Sequence, residues 1–331
     1  MTTDRYTALQ NWLSRECDKP YSEITTASED ASFRRYFRTY IGDTSYIIMD
    51  APPPQENCRP FVTIATLLEK HNLHVPHIYS ADIERGFLLL SDLGDTAYLK
   101  QLNQETADWL YGDALNALFK IQTEVPSDKL PPYDDALLSQ EMELFREWFL
   151  QRHLKLILDE HSHEVLTTTF RQLTKSALEQ PTVFVHRDYH SRNLMISDDN
   201  PGILDFQDAV RGPVTYDLVS LLRDCYISWP EDKVTSWVNK HHDRLVSHGY
   251  IDADYSQFKV WFDLMGMQRH LKAIGIFSRL KHRDGKGGYI KDIPRTMEYV
   301  MSVCGNYPEL REFKELMKQL DIPAKLAINS L

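Results

Sequence analysis

Three oxygen-bearing side chains, Asp188, Asn193 and Asp205, lie close together in a stretch otherwise built from short apolar runs. Thr182-Val-Phe-Val185 leads into His186-Arg-Asp-Tyr-His-Ser-Arg-Asn193, Leu194-Met-Ile196 follows, and Gly202-Ile-Leu-Asp205-Phe206 comes after a polar turn. A carboxylate set between buried strands persists only when it is hydrogen-bonded, paired or metal-bound. Oxygen-only donors suit Mg2+, which keeps part of its water shell and shares its remaining positions with substrate phosphates. His-Arg-Asp, four residues, Asn, and then an Asp ending the next apolar run is the arrangement that phosphoryl transfer uses, with Asp188 beside the acceptor hydroxyl and Asn193 and Asp205 on the metal. An aspartate with an ordinary pKa of about 3.9 is a weak base, so Asp188 orients the hydroxyl and takes its proton late in the transition state.

A zinc reading of His186 and His190 at i, i+4 fails on two counts: the intervening residues read as strand and loop, and no Glu follows the first His. Further on, Asp217 opens a helical pattern with Leu218, Leu221, Leu222 and Cys225 on one face and Thr215 as its expected N-cap.

The elements that must position these residues fall into two lobes. Tyr6, Leu9, Trp12 and Leu13 have helical spacing. Residues 31–40 and 44–50 are rich in aromatic and β-branched residues, Gly42-Asp43 between them is a turn, and Ala51-Pro-Pro-Pro54 stops the second strand. A helix over 61–70 and a buried strand at Phe87-Leu-Leu-Leu90, ending in the turn-prone Ser91-Asp-Leu-Gly94, complete a small lobe. From Asn103 the pattern is mainly helical, interrupted by the short runs of 182–206. The expectation is an α+β fold, with residues 1–93 as an N-terminal nucleotide-binding lobe and 94–331 as a catalytic and substrate-binding lobe.

Composition narrows the function classes. A net charge of −11 excludes a nucleic-acid binder that relies on broad attraction to phosphates. The four cysteines, Cys17, Cys58, Cys225 and Cys304, form no CxxC pair, which fits a reducing compartment. With no evident signal peptide and no apolar run long enough to span a bilayer, the chain reads as cytoplasmic, with no membrane, nucleic-acid or protein partner implied.

On the residues quoted, the chain resembles the aminoglycoside phosphotransferase and choline kinase superfamily over nearly its whole length. The resemblance implies a protein-kinase-like two-lobed fold, a small lobe with an antiparallel sheet and a larger, mainly helical lobe, using ATP and Mg2+. It implies that Ser32-Phe-Arg-Arg-Tyr-Phe37 forms the nucleotide-covering hairpin, with Ser32 and Arg34 at the nucleotide, and that Ser91-Asp-Leu93 is the hinge to which adenine hydrogen-bonds. It implies that Asp217 buttresses the catalytic loop through backbone hydrogen bonds. One departure stands out: the family's third strand usually supplies a Lys or Arg to the phosphates, whereas Tyr46-Ile-Ile-Met-Asp50 offers Met49 and Asp50. That charge then falls to Arg34, Arg35 or a glycine-turn backbone.

Within the superfamily, 205–213, 215–226 and 267–275 look most like the kinases that phosphorylate the anomeric hydroxyl of N-acetylmuramate and N-acetylglucosamine in peptidoglycan sugar salvage. A lactyl carboxylate calls for a nearby cation and the sugar hydroxyls for matched polar groups. The candidates are Glu143, His190, Arg211, Arg223, Asp224 and Arg269. Other readings are a kinase for an aminoglycoside, choline or homoserine, or a nucleotide-binding pseudokinase, which the missing strand lysine would favour.

Overall fold

The computed structural model describes residues 3–29 and 33–329. The chain groups into two compact units, 1–117 with 192–208, and 118–191 with 209–331. The boundary expected after residue 93 does not coincide with this grouping, in which 94–117 and the insert 192–208 stay with the N-terminal sheet.

In the first unit, helix α1 (Thr3–Glu16) precedes strands β1 (Thr25–Glu29), β2 (Arg35–Ile41) and β3 (Thr44–Asp50), and helix α2 (Arg59–Lys70) precedes β4 (Ile78–Asp82) and β5 (Phe87–Ser91). Helices α3 (Tyr98–Gln101) and α4 (Ala107–Glu124) come next. The five strands form an antiparallel sheet in the order β1-β2-β3-β5-β4. As the turn signal predicts, Gly42 and Asp43 join β2 to β3 with Ile41 opposite Thr44, and Gly42 takes φ +63°, which costs a glycine little. The apolar stripe of α1 (Leu9, Trp12, Leu13) packs with Ile48, Phe87 and Leu89. At the other end of β3, Gly86 (φ +73°) lets the Ala51 N–H reach its carbonyl at 2.8 Å, in a space that a side chain would fill.

The second unit carries α5 (Asp135–Leu144), a π-helical turn (Phe145–His153), α6 (Glu160–Leu178) and strand β6 (Thr182–Val185). The insert then supplies β7 (Leu194–Met195) and β8 (Gly202–Ile203) to the first unit, and the second resumes with β9 (Val210–Pro213) and α7 (Tyr216–Leu222). Helices α8 (Glu231–Ser247), α9 (Tyr255–Asp284), α10 (Ile293–Asn306), α11 (Arg311–Gln319) and α12 (Ile322–Asn329) complete it. The long α9 is buried along most of its length, so no polar stripe marks it in sequence. Gly275 is where α9 meets the end of α5, and a Cβ there would lie 2.6 Å from the Phe145 nitrogen. Strands β6 and β9 pair antiparallel, Val185 opposite Val210, and frame the loop that begins at His186. Thr215 does not cap α7 with its side chain as expected; its hydroxyl donates instead to Gln180 Oε1 at 2.7 Å. Among the described residues no helix is long and apolar enough to cross a membrane.

Candidate active site

The candidate residues fall in both units. In the first, a cavity of about 490 Å³ is lined by Ala27, Tyr36 and Ile47 from the sheet, by the 91–95 segment, and by Arg192, Asn193, Met195, Leu204 and Asp205 from the insert. The insert is a tight hairpin: β7 pairs β8, and the Leu204 N–H donates to the Asn193 carbonyl at 2.9 Å, which brings the two predicted metal residues together. Asn193 Nδ2 donates to Asp205 Oδ2 at 3.3 Å, and Gln207 Nε2 donates to Oδ1 at 2.8 Å. Asp205 takes φ +64°, a left-handed conformation that few residues other than glycine adopt and that asparagine and aspartate tolerate best.

The hinge candidates Ser91 and Leu93 both line this cavity. The Ser91 N–H is already given to the His77 carbonyl at 2.9 Å, and its hydroxyl accepts from the His77 N–H at 2.9 Å. Between them, Asp92 gathers Arg38, Ser45 Oγ at 2.5 Å and the Gly94 N–H at 2.9 Å. Burial pushes the Asp92 carboxyl up, but the bonds from Arg38 and Ser45 outweigh it and hold it below the usual range.

At the position of the missing lysine, Met49 is fully buried and Asp50 accepts from both Arg5 and Arg35, the first at 2.9 Å from Nε. Arg35 is therefore tied to the sheet, and Arg34 Nε lies 3.5 Å from Glu56. Ser32, the other expected nucleotide contact, lies outside the described residues. The cations that line the cavity are Arg38, Lys100 and Arg192.

In the second unit, β6 leads into the loop that begins at His186 and carries Asp188. The buried Asp217 carboxylate accepts from the backbone N–H of His186 at 2.6 Å and of Arg187 at 3.0 Å, the buttress that the resemblance implies. Burial raises the Asp217 pKa to about 7 against these two bonds. Arg187 takes φ +76° and turns the chain so that the half-buried Asp188 follows. Burial pushes the Asp188 carboxyl up, but Lys272, His190, Arg269 and Arg187 together hold it below the ordinary value.

The acceptor candidates divide by environment. His190 and Arg269 are buried and both act on Asp188; the His190 ring meets Tyr226 edge-on at 5.3 Å, and Arg269 donates to Cys225 Sγ at 3.6 Å. Asp224 is occupied with the loop, its Oδ2 accepting from Ser191 N at 3.0 Å and Ser191 Oγ at 2.5 Å, its Oδ1 from Tyr226 N at 3.0 Å. Arg223 is locked between Asp263 and Glu231, each at 2.8 Å. Glu143 is half-buried 3.3 Å from Arg146, and Arg211 is exposed on β9. Two groups escaped the sequence reading as site residues: Lys272, which acts on Asp188 although its neighbours suggest a solvated face, and Glu141, which pairs with Lys272 and Arg187 and lies two residues from the candidate chosen on the same helix.

Comparison with known proteins bears on the fold and the family. The model of the phosphotransferase enzyme family (APH) matches residues 23–253. The N-acetylmuramate/N-acetylglucosamine kinase of Pseudomonas putida is 50% identical over 307 residues, covering 92% of this chain and 91% of that protein. Among solved structures, ADP-bound aminoglycoside phosphotransferase APH(2'')-Ib superposes with a TM-score of 0.59 at 14% identity, covering 90% of this chain and 98% of that one. Choline kinase LicA from Streptococcus pneumoniae gives 0.62 at 12%, covering 91% and 100%. These likenesses establish the kinase-like fold, and the family match with a relative at half identity settles the lineage: the chain belongs to the phosphotransferase enzyme family.

Proposed function

We propose that this protein is an ATP-dependent sugar kinase that phosphorylates the anomeric hydroxyl of N-acetylmuramate and N-acetylglucosamine. The observation that carries the reading is Asp188 itself, a half-buried carboxylate on a loop fixed from behind by Asp217, surrounded by cations that keep it ionised and able to accept a proton. The functional lobes are 1–93 and 94–331, with Leu93 and the Ser91 carbonyl left to meet adenine in the cavity. Arg192 and Lys100, which line it, replace the strand lysine at the phosphates, a role that Arg35 is not free to take.

Asn193 and Asp205 fit Mg2+: two adjacent oxygen donors beside a nucleotide-sized cavity are the sparse protein share that this ion accepts when phosphates and water complete its shell. When bound, it neutralises charge on the triphosphate. Asp188 holds the acceptor hydroxyl in line. The sugar oxygen forms its bond to the γ-phosphorus, the bond to the bridging oxygen breaks, ADP leaves, and the hydroxyl proton passes to Asp188. The ring oxygen makes an anomeric hydroxyl more acidic than the other sugar hydroxyls, which suits so weak a base.

Charge also supports this acceptor over a cationic one. Lys272, Arg269 and Arg187, three of the side chains that act most strongly on Asp188, are cationic, and Arg269 is held firmly charged with N–H donors to spare after its contact with Cys225. A lactyl carboxylate is welcome there; a quaternary ammonium or polyamine is not. Use of ATP and the four free thiols support a cytoplasmic setting for the reaction.

The test is an ADP-release assay with N-acetylglucosamine, N-acetylmuramate and the methyl glycoside of each. Turnover with the free sugars and none with the glycosides is expected, since a methylated anomeric oxygen has no hydroxyl to phosphorylate. Phosphorylation of a glycoside would overturn the anomeric assignment.

A further inference from the structure

Glu141 lies on α5 between the apolar residues Leu138 and Met142 and is 5% exposed. Four side chains converge on its carboxylate. Arg187 NH2 and Lys272 Nζ meet Oε1, the latter at 3.0 Å, while the Tyr133 hydroxyl and Gln268 Nε2 donate to Oε2, the latter at 3.4 Å. Lys272 donates in addition to the Tyr216 hydroxyl at 2.9 Å. Burial pushes the Glu141 carboxyl up, but Lys272 and Arg187 overcome it and hold it below the usual range.

An ionic cluster of this kind is a poor way to stabilise a core, since well-packed apolar residues of the same volume do as well or better. Its partners are instead placed around Asp188. Arg187 is the preceding residue: its backbone N–H is given to Asp217 and its guanidinium to Glu141, so both ends of a residue in a left-handed conformation are held. One glutamate faces two cations, Arg187 and Lys272, and the positive charge left over acts on Asp188.

We infer that Glu141 is a positioning residue for catalysis, which through Arg187 and Lys272 fixes where the Asp188 carboxylate points when it meets the acceptor hydroxyl. The inference rests on the reading of Asp188 as the acceptor-side base. Glu141 touches neither substrate nor nucleotide in this account, so its loss shows in the rate of the chemical step.

The full-length protein is assayed with ATP and N-acetylglucosamine as wild type, Glu141→Gln, Asp188→Asn and the combination of the two. A drop in kcat of tenfold or more in Glu141→Gln is expected, with KM for ATP within threefold of wild type. In the Asp188→Asn background the same substitution is expected to cost no further activity, a non-additivity that mere destabilisation does not produce. A folded Glu141→Gln enzyme with kcat within twofold of wild type, or fully additive losses, overturns the inference. Should Glu141→Gln fail to fold, Glu141→Asp, which keeps the charge but sets the carboxylate one methylene short of Arg187 and Lys272, decides by the same criteria; if that also fails, Glu141 is a stability residue and the inference is wrong. Full turnover by Asp188→Asn overturns the base assignment, whereas an inactive Asp188→Asn beside a fully active Glu141→Gln removes only the role of Glu141.

Discussion

Arg38 and Asp92 meet through two parallel bonds, Nε to Oδ2 at 2.5 Å and NH2 to Oδ1 at 3.0 Å, at the wall of the first unit's cavity. The pair ties β2 to the segment that follows β5, and Ser45 adds β3 to the same carboxylate. Asp92→Ala removes a charge-assisted, bidentate contact worth about 1.5–3 kcal/mol and leaves the Arg38 guanidinium at the cavity wall with only the Gly94 carbonyl, at 3.2 Å. The expected result is a lower urea midpoint and a several-fold rise in KM for ATP with kcat nearly unchanged. A variant whose KM for ATP stays at the wild-type value would show that the pair is remote from the nucleotide.

Asp205 and Asp188 should fail in different ways. Asp205→Ala removes the proposed metal donor and is expected to abolish turnover and to make nucleotide binding insensitive to Mg2+. Asp188→Asn is expected to lower kcat by orders of magnitude while calorimetric nucleotide affinity stays within a few-fold. Equal losses of nucleotide affinity in both variants would contradict the division of roles.

Asp217→Ala leaves two backbone N–H groups, those of His186 and Arg187, without their acceptor. Each unsatisfied buried donor costs about 1–3 kcal/mol, so equilibrium unfolding should register a loss of about 2–6 kcal/mol. Asp217→Asn keeps one acceptor oxygen and should recover roughly half of that. Any smaller penalty for alanine than for asparagine would argue that the loop finds other partners.

His241 and His270 are fully buried, and burial pulls the pKa of each down to about 3. Both stay neutral in the folded chain, where His241 Nε2 donates to Gln122 Oε1 at 2.9 Å and His270 Nε2 to the Arg223 carbonyl at 2.8 Å. In the unfolded chain each binds a proton below about pH 6.5, so stability is full above that value and falls as pH drops towards the folded pKa, by about 1.4 kcal/mol per pH unit per histidine. Urea midpoints measured from pH 7.5 to 4.5 should be flat and then decline, and His241→Asn should make the decline shallower. An unchanged slope in that variant would mean that His241 protonates in the folded state.

What could be read in sequence and what could not have separate physical causes. The stripe of α1, the Gly42-Asp43 turn and the spacing from His186 to Asn193 are local patterns, and local patterns survive in one dimension. Burial of charge is not local. Glu141 and Glu143 sit on one short helix with similar neighbours, and only the packing of α9 against α5 makes the first a buried hub and leaves the second beside Arg146. Lys272 reads as part of a solvated face because nothing local in the sequence reveals that its helix is buried along most of its length. Thr215 was expected to cap α7 because residue type alone suggests it; its true partner, Gln180, is distant in sequence.

The split membership of the first unit bears on how the protein is made. Phe206 packs on Phe61 with ring centres 4.9 Å apart, the Ile203 N–H bonds to the His74 carbonyl at 2.8 Å, the Ile196 N–H bonds to the Thr96 carbonyl at 2.9 Å, and Asn200 Nδ2 donates to Tyr98 and Asp113, each at 2.7 Å. A nascent chain that has left the ribosome only as far as Ala117 has every strand of the sheet but none of these contacts, so an apolar surface around Phe61 waits, uncovered, while some ninety further residues are synthesised. The first unit is therefore finished late in translation although it begins first, and a fragment cut at residue 117 is an unfinished half rather than a domain.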